Sequence, residues 1–353
     1  MKGNETIGES VGPVRLALIG AGGFGAYTTE LLDRQPEIQL VGVADVVPEL
    51  AERLGTARGV PFWANHRVLL EMCDCDAVAV VTTHATHRDI VVDAAEAGRH
   101  IFCEKTMAVT VADCHDMIAA ADANNVKLMV GHKRRFRPAA TELKRALLEG
   151  EFGQPLAVNV RGFFGRRITG FWSRRDDCGG LLYWAGVHDV DTLRYLFGEV
   201  ASVYAVIGPK VHPEVSDQED AISVVLTFES GLVGSLQVST YYPMANYHTA
   251  FGFEIVCEHG GISYDPQQLT VTRHPEDGSP HEVRLEHNNA DGAYDHEWSN
   301  FAGWILRDET PVLTGEDGLR CVEILQAAYL SAHLGVRVDL PLGRDERRPF
   351  GEV

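Results

Sequence analysis

Four groups of residues in this chain have types and spacings that could do chemistry: Gly20-Ala21-Gly22-Gly23-Phe24-Gly25 with Asp45 downstream, the histidines His84 and His87, the pair Glu104-Lys105, and the run Gly179 to Asp191. The first is suited to holding a dinucleotide. Gly20 permits a tight turn, Gly22 lets the backbone approach a pyrophosphate, and Gly25 lets a helix pack close to a strand. The N-terminus of the helix that follows would offer unpaired N–H groups to the phosphates, and Gly23 and Phe24 belong to the same expected cofactor-binding turn. Asp45 stands twenty residues after Gly25, where a carboxylate accepts hydrogen bonds from the adenosine ribose hydroxyls. It would repel a 2′-phosphate, and Val46 and Val47 supply no cation to hold one, so NAD is favoured over NADP. Thr82, His87 and Glu104 complete the expected cofactor-binding set. In the last group, Trp184, His188 and Asp191 are spaced i, i+4 and i+7, which places all three on one face of a helix.

These residues need a scaffold, and the apolar pattern predicts one. Val14–Ile19 is a strand-length run before the glycines, Ala26–Gln35 reads as a helix stopped by Pro36, and Leu40–Ala44 is a second strand. Alternation continues through a short helix Pro48–Leu54 closed by Gly55, a helix capped by Asn65, and a continuous apolar strand Asp76–Val81. A helix ending at Gly98, a strand His100–Cys103, a helix Thr110–Asn124 and a strand Lys127–Val130 follow. Runs apolar on both faces belong to a parallel sheet, and ligands bind at the carboxyl ends of its strands. Thr82 to His87 and Glu104-Lys105 fall at such ends.

Beyond Gly131 the period changes. Pro138–Leu148 reads as a helix, Leu156–Phe164 as a strand, Gly165–Cys178 as an Arg-rich loop and Leu181–Phe197 as one long helix stopped by Gly198. From Ala201 the strands alternate: Ile222, Val224, Leu226 and Phe228 share one face, and Ser223, Val225 and Thr227 the other. A hairpin is expected around Gly260-Gly261, and helices at Ala293–Arg307 and Glu316–His333. The fold class is therefore α/β: an N-terminal doubly wound domain plus a C-terminal α+β domain with a large, mainly antiparallel open sheet. Expected limits are 14–134 for the NAD-binding domain and 135–340 for the substrate-binding and oligomerisation domain. Residues 1–13 read as a frayed leader and 341–353 as a tail.

The glycine motif, Glu104-Lys105 and Gly186-Val187-His188-Asp189-Val190-Asp191 together resemble the glucose–fructose oxidoreductase/inositol dehydrogenase family, along nearly the whole chain. The resemblance implies a Rossmann domain joined to an open-sheet domain, and a homodimer or homotetramer formed across that sheet. It implies that Lys105 lies near the reacting hydroxyl of a sugar, polyol or sugar derivative, and that His188 is the acid/base. That assignment is chemically sound. Oxidising a secondary alcohol sends a hydride to nicotinamide and a proton to a base, and imidazole titrates near neutrality. A lysine ammonium beside the same oxygen stabilises alkoxide charge. His87 is expected to shape the nicotinamide pocket, and His84 to be a polar surface residue.

Two positions depart from the family pattern. Thr106 stands where the family has proline after Glu-Lys, and Trp184 where it has an aspartate four residues before the histidine. His188 thus lacks a carboxylate that would orient it and raise its pKa. Asp191 is a substitute partner one turn on, and Trp184 an apolar platform for a sugar face or aglycone. Two other functions stay open: a glycosidase or lyase with tightly bound NAD that uses transient oxidation to cleave a glycosidic bond, and a catalytically silent NAD-binding regulator.

The 353 residues suffice for two domains, and 45% hydrophobic content supports packed cores. A net charge of −19 argues against nucleic-acid or anionic-membrane partners, and no run approaches a membrane span. Seven scattered cysteines, with only a Cys73-x-Cys75 pair, point to reduced thiols and a cytoplasmic protein. No His/Cys/carboxylate set has convincing metal spacing, so no metal is expected. Charge is unevenly spread. Lys127 to Arg175 holds twelve basic residues and three acids, leaving −28 for the remainder. Arg166 and Arg167 are candidates to hold an anionic sugar, the competing reading being that the arginines pair with surplus acids at an interface.

Overall fold

The computed structural model describes residues 12–163, 170–210, 213, 216–240, 252–265, 268–276, 278–286 and 290–344. Its first half alternates strictly: β1 Val14–Ile19, α1 Gly23–Leu32, β2 Ile38–Ala44, α2 Pro48–Arg58, β3 Phe62–Trp63, α3 His66–Met72, β4 Ala77–Val80, α4 His84–Glu96, β5 His100–Glu104, α5 Val111–Ala123 and β6 Leu128–Gly131. The six strands form one parallel sheet in the order β3-β2-β1-β4-β5-β6. Strand order reverses between β1 and β4, which opens a crevice at their carboxyl ends. All four residues of β4 are fully buried, as an apolar run covered on both faces must be.

After a 3₁₀ turn at Lys133–Phe136 come α6 Pro138–Leu148, β7 Pro155–Phe163, a 3₁₀ turn at Gly170–Ser173, α7 Arg175–Cys178, a π-helical turn at Leu182–Gly186 and α8 Val187–Phe197. Then follow β8 Val200–Ile207, β9 Ala221–Phe228, β10 Val233–Ser239, β11 Gly252–Cys257, β12 Gly260–Asp265, β13 Thr270–Pro275, β14 His281–Arg284, α9 Ala290–Arg307, α10 Gly315–Leu334 and β15 Val338–Asp339. Nine strands pair in the order β14-β13-β12-β11-β7-β10-β9-β8-β15. Every pairing is antiparallel except β7 with β10. Ile222, Val224, Leu226 and Phe228 point into the core, as their alternation requires, while Val225 on the other face is exposed. Tyr204, Val206 and Val256 share that exposure.

Several local expectations are corrected. Helix α2 runs through Gly55 and stops at Gly59, which takes the left-handed conformation (φ +66°). Gly55 is inside the helix because a Cβ there would lie 2.8 Å from Phe62. The hairpin turns at Glu258-His259, with Gly260 and Gly261 already paired in β12. The expected loop before α8 contains α7, and the expected single helix Leu181–Phe197 begins with the π turn. Of the tail after residue 340, 341–344 are described; the leader 1–11, the end 345–353, and Arg166 and Arg167 lie outside the described residues.

Helix α9 crosses back onto the parallel sheet. Tyr294, Trp298 and Phe301 form its apolar stripe, and Trp298 stacks on Phe102 of β5 with ring centroids 4.0 Å apart. All seven cysteines are buried as free thiols. Among the described residues no helix is long and apolar enough to cross a membrane.

Candidate active site

The glycine turn divides into residues required by packing and residues that leave space. A Cβ on Gly20 (φ +109°) would lie 2.2 Å from the Val81 carbonyl oxygen, and one on Gly25 would lie 1.9 Å from that of Gly20. Neither position admits another residue. A Cβ on Gly22 or Gly23 would meet nothing within 4 Å, so the turn is open on the side where a pyrophosphate would sit. Helix α1 starts there without a side-chain cap, leaving first-turn N–H groups free for phosphate oxygens, with Phe24 half-exposed beside them. Asp45 ends β2 and fixes the turn: one carboxylate oxygen accepts from Ala21 N (2.7 Å), the other from Val47 N (2.8 Å). These residues fit an NAD molecule: the open turn and helix N–H groups would take the pyrophosphate, and Asp45 would accept from the ribose hydroxyls.

Glu104 and Lys105 close β5. Glu104 is buried and accepts from Lys105 N at 3.0 Å. Burial raises its pKa and so disfavours the carboxylate, while Lys133 and Lys105 oppose that rise. Lys105 Nζ lies 3.0 Å from the Trp184 carbonyl oxygen and 5.7 Å from the Trp172 ring centroid. Burial, with Arg134 nearby, pulls Lys105 down to about 8, against Glu104. The Lys105–Thr106 peptide is cis, and Thr106 Oγ1 donates to Tyr183 O at 2.6 Å. His87 is fully buried and braces this turn: Nδ1 meets Thr106 O and Met107 O, and Nε2 meets Thr82 O. Burial lowers its pKa to about 4, so His87 is neutral at physiological pH. His84, expected at the surface, is instead buried, with Nδ1 2.9 Å from Cys178 O. Its ring meets Phe171 and Trp172 edge-on.

His188 stands in the first turn of α8, and its pKa lies well below 6.5. Burial is the main cause, followed by Lys105, Arg134, Lys133 and His132. Its Nδ1 is buried without a hydrogen-bond partner among the described residues, as expected with tryptophan in place of an aspartate. Trp184 is partly buried, its ring 5.8 Å from that of Trp172. Trp172 is thus part of a short aromatic wall beside Lys105 that sequence reasoning missed. Asp191 does not serve His188. It is fully buried and takes two hydrogen bonds from Arg135 (2.7 and 2.9 Å). Asp189 likewise pairs with Arg134 at 2.6 Å.

The basic run after β6 lies at the carboxyl end of a parallel strand, the position from which side chains reach a ligand. Lys133 Nζ sits 4.0 Å from the Tyr294 ring centroid and 5.9 Å from that of Phe24, linking the glycine turn to Glu104. Glu297 of α9 is wholly buried, with neither carboxylate oxygen hydrogen-bonded among the described residues. Burial and Glu104 push its pKa well above 4.5, against Lys133. Ligating atoms of His132, Asp191 and Cys321 lie within 4.8 Å of one another. Arg135 on Asp191 and Arg194 Nη1, 3.9 Å from Cys321 Sγ, bring two cations to that cluster and disfavour a metal ion.

Comparison with known proteins adds a family. Residues 14–132 match the model of the Gfo/Idh/MocA oxidoreductase family, NAD-binding Rossmann fold, and residues 144–340 match that family's C-terminal alpha/beta domain. The chain is 28% identical over 341 residues to the scyllo-inositol 2-dehydrogenase (NAD(+)) of Bacillus subtilis, covering 94% of this chain and 97% of that protein. It is 29% identical over 328 residues to the myo-inositol 2-dehydrogenase of Thermotoga maritima, covering 90% and 96%. Among solved structures, the WlbA dehydrogenase of Bordetella pertussis in complex with NADH and UDP-GlcNAcA superposes with a TM-score of 0.82 at 25% identity, over 94% of this chain and all of that one. Levoglucosan dehydrogenase in complex with NADH and levoglucosan, at 22% identity, shares the fold with a TM-score of 0.85 over 94% and 100%.

Proposed function

The chain belongs to this family of NAD-binding oxidoreductases, and from that premise we propose that it oxidises a secondary hydroxyl of a sugar, polyol or sugar derivative, or reduces the corresponding ketone. One observation supports the reading: Lys105, following β5, donates to the Trp184 carbonyl oxygen in the turn that leads into α8, one turn before His188, and its charge is among those that lower His188. NAD, cradled by Gly20, Gly22, Gly23, Phe24, Gly25 and Asp45, supplies the hydride acceptor. Lys105, as an ammonium, holds the substrate oxygen and stabilises its developing negative charge. His188, neutral at physiological pH, takes the hydroxyl proton at Nε2, since Nδ1 is enclosed. Thr82, His87 and Glu104 support this site from below, His87 by bracing the turn that carries Lys105.

A second assignment exchanges the two roles. Lys105 pulled to about 8 is close enough to neutrality to accept the proton itself, with His188 positioning the hydroxyl. Trp184 and Trp172 serve as an apolar platform for a sugar face, in keeping with their ring separation of 5.8 Å beside Lys105. The exposed apolar face at Tyr204, Val206, Val225 and Val256 favours a homodimer or homotetramer across the nine-stranded sheet. Seven buried free thiols accord with a cytoplasmic setting.

The test is incubation of purified protein with inositols, hexoses and their derivatives, and with NAD or NADP, following absorbance and products. Net NADH matched by ketone supports the proposal. Glycosidic cleavage without net NADH would replace it with the transient-oxidation reading.

A further inference from the structure

The segment that leads into His188 is held from two sides. Gly180 begins it with φ +126°, and a Cβ there would lie 2.3 Å from the Tyr329 hydroxyl oxygen. The first N–H groups of a helix have no partner within it, and here two buried side chains take them. Leu181 N donates to Glu219 Oε1 at 2.9 Å, and Leu182 N donates to the Tyr329 hydroxyl at 3.0 Å. That hydroxyl in turn donates to Glu219 Oε1, and Arg175 Nη2 donates to Glu219 Oε2 at 3.0 Å. Glu219 precedes β9 and Tyr329 belongs to α10, so two distant parts of the chain meet at this point.

On the other side, carbonyl groups of the π turn face the residues that follow β5. Tyr183 O accepts from Thr106 Oγ1 at 2.6 Å, and Trp184 O accepts from Lys105 Nζ at 3.0 Å. The Tyr183 ring stacks on that of Tyr329, with centroids 5.8 Å apart, and its hydroxyl donates to Val109 O at 3.2 Å. Glu219 and Tyr329 thus fix the N–H end of a turn whose carbonyls hold Thr106 and Lys105. Such π turns arise where a side chain interrupts the ordinary ladder, frequently at functional sites. A buried ion pair such as Glu219–Arg175 is often no more stabilising than apolar residues of similar volume. What Glu219 adds is a fixed direction for two backbone N–H groups, one held directly and one through Tyr329.

We propose that Glu219 and Tyr329 are positioning residues for the reaction: they set the π turn so that the Trp184 carbonyl oxygen holds Lys105 where it meets the substrate oxygen. The role of Lys105 rests on the dehydrogenase reading above, whereas the hold on Lys105 is a property of the turn and can be tested without substrate. Both residues act through the backbone between Leu181 and Trp184. Removing either leaves a buried N–H without its acceptor, and the turn must shift to regain one. Misplacing a catalytic group by about 1 Å costs up to about 100-fold in rate.

The experiment compares NAD-loaded wild-type protein with Tyr329→Phe, which removes a single oxygen atom, Glu219→Ala and Glu219→Gln. Two quantities are read: kcat and KM per NAD-binding site on the best substrate, and the pH dependence of Lys105 acylation by acetic anhydride, followed by peptide mass spectrometry. Wild-type Lys105 is expected to titrate at about 8, chiefly because it is buried. The titratable groups around it, Glu104, His87, Lys133, Arg134, Cys178 and His188, are the same in every variant. Loosening the turn admits water, so the midpoint should rise toward the ordinary 10.5 in Tyr329→Phe and Glu219→Ala. In those two variants kcat should fall about 10- to 100-fold, with KM and NAD affinity changed less. Glu219→Gln keeps an acceptor for Leu181 N and should show a smaller change in both readouts. Should Glu219→Ala fail to fold, Tyr329→Phe and Glu219→Gln carry the comparison. A lowered melting temperature with kcat and the Lys105 midpoint both unmoved, or a kcat loss with the midpoint unmoved, overturns the proposal. A shifted midpoint in a protein that makes no NADH from any sugar keeps the hold on Lys105 and sinks the dehydrogenase reading.

Discussion

Lys105 Nζ donates to the carbonyl oxygen of Trp184 across 3.0 Å, tying the end of β5 to the π-helical turn that leads into His188. Two groups 83 positions apart in the chain are thereby drawn toward one another, and the Lys105 charge helps hold the pKa of His188 down. With tryptophan where the family places an aspartate, the histidine answers to cations and burial instead of to a carboxylate.

The pH profile distinguishes the two proton assignments. If neutral His188 is the base and Lys105 must stay charged, kcat/KM is level from the low His188 value up to about 8 and falls above it as Lys105 loses its proton. If Lys105 is the base, kcat/KM instead rises through about 8. A steady-state profile on one substrate decides between a falling and a rising limb.

Trp184→Asp restores a carboxylate one turn before His188. An adjacent negative charge favours imidazolium, so the acidic limb of the profile should move up toward 6.5. Because Trp184 is only partly buried, the variant should fold, and affinity for sugars that use the aromatic wall should drop. An unfolded variant, or one with unchanged substrate preference and pH limb, would mark Trp184 as a core residue.

Asp45 should set cofactor choice. Calorimetry is expected to show tighter binding of NAD than NADP, with Asp45→Asn narrowing the difference while the amide oxygen still accepts from Ala21 N. Loss of hydrogen bonds to a charged group costs about 1.5–3 kcal/mol, or about tenfold and upward in NAD affinity. Equal or tighter NADP binding by the wild-type protein would refute the assignment.

Much of this arrangement was legible in the sequence because parallel-sheet strands are short apolar runs and their helices carry clear stops. The glycine turn and Asp45 needed only local spacing. What escaped depends on distant partners. Gly55 looked like a helix stop, yet Phe62 requires its missing side chain, and Gly59 does the stopping. His84 looked solvent-exposed, but the carbonyl of Cys178, 94 positions away, receives its Nδ1 and the surrounding aromatics cover it. Asp191 looked like a partner for His188 on one helix face, but Arg135 claims it from 56 positions upstream. No periodicity reports such pairings.

Nor could helix α9 be assigned to the parallel sheet from its own pattern. Trp298 is 1% exposed and stacks on Phe102, so it should anchor the late helix to the cofactor-binding half. Trp298→Ala is expected to lower unfolding free energy by about 3–5 kcal/mol. Denaturant titration checks this, and a loss below about 1 kcal/mol, typical of surface substitutions, would contradict the packing.

The central claim, that Lys105 and His188 act on the substrate hydroxyl, is tested most directly by single-turnover NADH formation with Lys105→Met and His188→Ala, alongside NAD affinity. The expected result is hydride transfer slowed by about 10²–10⁴-fold in each variant, the usual loss for one acid/base group, with NAD affinity close to wild type. Wild-type transfer rates in either variant, or a defect confined to NAD binding, would contradict it.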